Sequence, residues 1–122
     1  MTKGEAIYSF FSSLMTAYAA TEVPEAVTFP YLTYELTTGA WGDGESNITV
    51  NMWFNTDSEA VPNAKAEELA AAIGYGGKML KYTGGALWLK RGSPWCQSLS
   101  DTENKNIKRR YINITVEYIS IN

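Results

Sequence analysis

Residues 107–121 alternate apolar and polar side chains over the longest such run in the chain. Ile112, Ile114, Val116 and Tyr118 fall on one side, Asn113, Thr115 and Glu117 on the other. A period of two is the pattern of an extended strand with one buried face. A strand this long belongs inside a sheet, so the rest of the chain must supply its neighbours. Residues 47–54 repeat the pattern more briefly, with Ile48, Val50, Met52 and Phe54 opposed to Asn47, Thr49, Asn51 and Trp53. Residues 29–37 place Leu32, Tyr34 and Leu36 on one face and Thr33 and Glu35 on the other, with Pro30 at the start, where a strand tolerates it. The glycine-rich acidic segment 38–46 reads as the loop of a long hairpin. Lys78–Thr83 and Ala86–Lys90 read as two short strands about Gly84-Gly85.

Two segments carry the helical period instead. In residues 2–20, Ile7, Phe10, Phe11, Leu14 and Tyr18 form one apolar stripe, Thr2 and Glu5 have capping-box spacing, and Pro24 bars continuation. In residues 61–73, Ala66, Leu69, Ala70 and Ile73 face inward and Glu67 and Glu68 outward. Pro62 suits the first helical position, Ser58 or Asp57 can cap it from upstream, and Gly74, Gly76 and Gly77 end it. Residues 91–106 show little periodicity and are expected to be a long loop, a class that often carries function. The expected order is α-β-β-α-β-β-β. It makes a single two-layer α+β domain over residues 1–122, with a mainly antiparallel sheet of four to five strands and two helices on one face. A length of 122 residues with 45% hydrophobic and 19% charged side chains suits one such core and excludes disorder over most of the chain. No apolar run approaches the roughly 20 residues that span a bilayer, and the N-terminus lacks a separate apolar segment with a cleavage site, so the expected location is the cytoplasm.

What the chain lacks limits its chemistry. It has no histidine, and Cys96 is its single cysteine. Ser-His-Asp and Cys-His nucleophiles, a Cys-based zinc site and an internal disulfide are thereby excluded. Cys96, between Trp95 and Gln97, reads as a buried or half-buried small residue. Asp43-Gly-Glu45-Ser-Asn47 begins like a calcium loop but lacks the remaining ligands and the closing glutamate, so a solvated hairpin tip explains it. The glycine pairs match no phosphate-binding loop. No catalytic residue, cofactor site or metal site is expected, and the chain reads as a non-enzyme. A histidine-free enzyme built on Asp43 and Glu45 would rest only on their proximity in one loop.

Charge is unevenly distributed. Residues 1–77 hold ten acids and two bases, a net of −8; residues 78–122 hold three acids and eight bases, a net of +5. Opposite charge on different faces favours contact between copies or with a charged partner, unless the fold interleaves the two halves. Lys105, Lys108, Arg109 and Arg110 form a basic cluster, and with Trp41, Trp53, Trp88 and Trp95 they suggest an alternative, a small nucleic-acid-binding module. The overall charge of −3 and the lack of an RNA-recognition signature weigh against it.

The amphipathic N-terminal helix, Phe29-Pro-Tyr-Leu-Thr-Tyr-Glu-Leu36, the strand Asn47-Ile-Thr-Val-Asn-Met-Trp-Phe54, the helix Asn63-Ala-Lys-Ala-Glu-Glu-Leu-Ala-Ala-Ala-Ile73 and the terminal strand from Arg110 together resemble the tail terminator proteins of long-tailed bacteriophages, and related head-tail joining and minor capsid proteins. The resemblance covers nearly the whole chain. It implies an α+β subunit of a hexameric ring that ends the tail tube and meets the head connector, assembled in the host cytoplasm and carried in the virion tail. The tail tube protein, the head connector and further copies of the chain are the implied partners, with no small-molecule substrate. The expected interface residues are Trp41, Asp43, Glu45 and Trp95 on the two loops, Glu67 and Glu68 on the second helix, and Lys108, Arg109 and Arg110 entering the last strand.

Overall fold

A computed structural model describes residues 1–38, 45–101 and 103–120. The elements run α1 (Lys3–Ser12), β1 (Ala17–Ala19), β2 (Tyr31–Thr38), β3 (Glu45–Asn55), α2 (Ala60–Ile73), β4 (Lys78–Tyr82), β5 (Gly85–Ser100) and β6 (Ile107–Ser120). The strands form one sheet in the order β1-β2-β3-β6-β5-β4. The terminal strand β6 is interior, between β3 and β5, as its length suggested. The architecture is α+β, with both helices contributing to one core on one face of the sheet. The sheet has six strands, more than the four or five expected, and is mixed, because β1 runs parallel to β2.

The extra strand lies inside the segment expected to be helical to residue 20. Thr2 and Glu5 do form a reciprocal capping box, at 3.0 and 3.1 Å. Hydrogen bonds from the Thr2 backbone and side chain hold the Glu5 carboxyl below its ordinary range. The helix stops at Ser12, however. The Ser12 and Ser13 hydroxyls donate to the carbonyls of Ser9 and Phe10, the competition with backbone that disfavours serine in helices. Leu14 and Met15 then both donate to the Phe11 carbonyl, closing a turn. Tyr18, the last member of the helical stripe, instead pairs with Thr33 across β1 and β2.

The segment 91–106 is also not a single loop. β5 continues through it to Ser100, interrupted by an irregularity in which Gly92–Trp95 oppose only Asn113 of β6. Gly92 is required there: a methyl group would lie 2.6 Å from the Asn113 carbonyl oxygen. Asn113 Nδ2 donates to the Pro94 carbonyl at 3.1 Å and fastens the bulge. Before β6, Asp101 and Asn104 each accept through the side chain from the backbone two residues on. β4 and β5 meet at Thr83-Gly84, where Gly84 has φ +101°.

One face of the sheet is covered. Leu32, Ile48, Val50, Met52, Phe54, Leu87, Leu89, Ile112, Ile114 and Val116 pack against Ala6, Ile7 and Phe11 of α1 and Ala66, Leu69 and Ile73 of α2. α2 lies over β5 and β6, while α1 packs on both edge strands, β1 and β4. Six strands laid flat would hold those edges roughly 24 Å apart. A helix about 15 Å long serves both because the sheet curls around it.

Candidate assembly surface

Alternation along β6 sends neighbouring cations of the basic cluster to opposite faces. Lys108 and Arg110 point to the covered side, opposite Phe54 and Met52. Arg110 is 1% exposed, and its guanidinium donates to Glu59 and, at 2.8 Å, to Asn63, both at the start of α2. Lys108 is also buried and donates to the Lys105 carbonyl. The expectation that Lys108 and Arg110 reach a neighbouring copy is corrected: their charges are committed within the fold, because β6 runs beneath α2. Arg109 alone of the three faces the uncovered side, and Lys105 is exposed in the loop.

The Arg110 hydrogen bond holds the Glu59 carboxyl below its ordinary range. A group depressed on folding contributes stability above its unfolded value, and that contribution disappears as pH falls through the folded one. Glu59→Gln should therefore be less stable than the parent near neutrality, and the gap should shrink as pH drops below about 4.5, the ordinary value. Urea unfolding at a series of pH values reads it. A gap that stays constant into acid would show that the carboxylate charge does not matter.

The other expected residues are dispersed. Trp95 lies in the bulge, half-buried against the core, and is not the tip of a loop. Cys96 is half-buried, and burial pushes its thiol up, away from thiolate reactivity. Glu67 and Glu68 are exposed on α2, and Glu68 is paired with Lys65 at 3.0 Å. Trp41 and Asp43 lie outside the described residues, as does the side chain of Glu45, whose backbone opens β3.

The uncovered face has its own order. Three rows across the strands are mostly polar: Gln97, Tyr111, Asn51 and Thr33; Asn113, Thr49 and Glu35; Lys90, Thr115, Asn47 and Thr37. Lys90 is paired with Glu117 at 2.9 Å and lies over the Trp88 ring. The row beyond Gln97, Tyr111, Asn51 and Thr33 is different in kind: Leu99, Arg109, Trp53 and Tyr31 stand directly opposite one another on β5, β6, β3 and β2. Tyr31 and Trp53 stack with centroids 6.3 Å apart and planes 17° from parallel, and the Arg109 guanidinium lies 5.2 Å from the centre of the Trp53 ring. Phe29 and Tyr18 extend the row beyond Tyr31. A shallow groove between Trp53, Leu99, Ser100, Asp101, Ile107 and Arg109 flanks it. Sequence reasoning missed this row, although alternation already placed Trp53 on the face opposite Ile48 and Val50; the unseen part was Leu99, inside the supposed loop.

A cavity of about 710 Å³ lies between α1 and β1–β2, over Ile7, Tyr34 and Leu36, with Glu5, Glu22 and Glu35 at its margin. Burial raises the Tyr34 hydroxyl pKa, helped by Glu22 and Tyr8. Among the described residues, no group of three Cys, Asp or Glu side chains is placed to hold a metal ion, and no helix is long and apolar enough to cross a membrane. In comparison with known proteins, the chain matches no family model and no curated sequence.

Proposed function

We propose that this chain is a ring-forming structural subunit of a bacteriophage or prophage tail: a tail terminator that caps the tail tube and joins it to the head connector. The observation that supports the reading is the uncovered face of the six-stranded sheet, which presents polar rows beside one aromatic row containing Arg109. Tyr, Trp and Arg are the residues that anchor protein interfaces, and a sheet with one naked face has a surface to offer a neighbour. The subunit assembles as a hexamer in the host cytoplasm and ends in the virion tail, in contact with the tube protein and the connector. Nucleic-acid binding is less well supported. It draws its affinity from several cations tracking phosphates on one surface, and the basic cluster is divided between two faces. Native mass spectrometry should find a discrete hexamer, and the protein added to polymerising tail tube subunits should arrest their growth. A strict monomer that binds single-stranded DNA with a steep salt dependence would overturn the reading.

A further inference from the structure

We propose that the contact between copies joins the Arg109 row on the open face of one subunit to the outer side of α2 on the next, with Arg109 meeting Glu67. This rests on the ring reading above and names its interface.

The two surfaces suit each other in charge and in shape. Among the described residues, Arg109 and Glu67 have no ion-pair partner within the chain, whereas Arg110, Lys90 and Lys65 each have one. The Arg109 guanidinium rests over the Trp53 ring on the open face, which limits the positions from which it can meet a carboxylate of another copy. The outer side of α2 carries Val61, 52% exposed, and exposed Ala64 and Ala71 around Glu67. Such small side chains let a helix lie close on the aromatic row, with Leu99, Trp53 and Tyr31 supplying the apolar contact. The row from Leu99 to Tyr31 crosses three inter-strand steps, roughly 14 Å, and α2 at about 21 Å is long enough to cover it.

The topology determines the kind of assembly. α2 covers one face of the sheet, and Arg109 points from the other. The two patches are therefore different surfaces in opposite layers, and the contact is head-to-tail. Contacts of that type form a ring when the rotation between copies closes and an open filament when it does not.

Charge reversal in sedimentation velocity tests the pairing. R109E and E67R should each weaken self-association at least about tenfold per contact, since a favourable cross-interface pair becomes a repulsive one. The double variant R109E/E67R should regain the oligomer. So should an equimolar mixture of the two single variants, in which every contact pairs opposite charges. Trp53→Ala should weaken association without rescue by either change. Circular dichroism and Tm check that each variant is folded, which is expected because Arg109 and Glu67 lie outside the core. An intact oligomer in both single variants would overturn this interface and leave the ring reading standing. Weakened single variants without rescue in the double variant or the mixture would overturn the Arg109–Glu67 pairing. A parent chain that never self-associates would overturn both the interface and the ring.

Discussion

Phe11→Ala should destabilise the protein by about 3–5 kcal/mol, the range for a fully buried aromatic truncated in a core that cannot collapse around the loss. Phe11 is completely buried, stacks on Tyr34 at 5.1 Å and meets the edge of Phe10 at 5.2 Å. It is the main apolar anchor of a helix only ten residues long, which has little stability of its own. Domains are commonly stable by only about 5–15 kcal/mol, so this one change removes a large share of the total. α1 spans both edges of the curled sheet, so its loosening should expose β1 and β4 together. Urea denaturation followed by circular dichroism measures the loss, and Phe10→Ala, at a half-buried position on the same helix, should cost clearly less. A loss below about 1 kcal/mol for Phe11→Ala would contradict the burial of Phe11 between α1 and the sheet.

Arg110 should give the second large effect, and its size depends on what replaces it. Arg110→Ala removes a fully buried side chain and leaves a void beneath α2, at a cost of about 2–4 kcal/mol. Arg110→Met keeps most of the volume and removes the need to desolvate a guanidinium, so it should fall within about 1 kcal/mol of the parent. Chemical denaturation of the two variants side by side separates packing from charge. Equal, large losses in both would mean that the bonds to Glu59 and Asn63 matter more than the filled volume. Both substitutions leave the Arg109 and Glu67 side chains in place, so self-association of the folded variants should be unchanged.

Period and spacing made much of the fold legible. The alternation of Ile48 to Phe54 and of Ile112 to Val116 defined the two central strands and their buried faces, because a period of two leaves a strand only one way to hide its apolar side. The stripe Ala66, Leu69 and Ile73 defined α2 and its inward face, and Thr2 with Glu5 marked where α1 begins. These are local properties of the chain, decided within a few residues. Three things were decided elsewhere. Tyr18 continued a helical stripe, but Ser12 and Ser13 ended the helix and the free edge of β2 offered a parallel partner. The stretch after Arg91 lost its alternation because four residues bulge opposite one, and only the long partner strand β6 carries the ladder on to Ser100. The basic cluster read as one surface along the sequence, yet β6 passes beneath α2, so Arg110 is buried against Glu59 and Arg109 is left on the open face beside Trp53. Local pattern determines which way a side chain points within its own element; whether that direction ends in solvent, in a core or against a partner depends on which elements the sheet order and the helices bring alongside it.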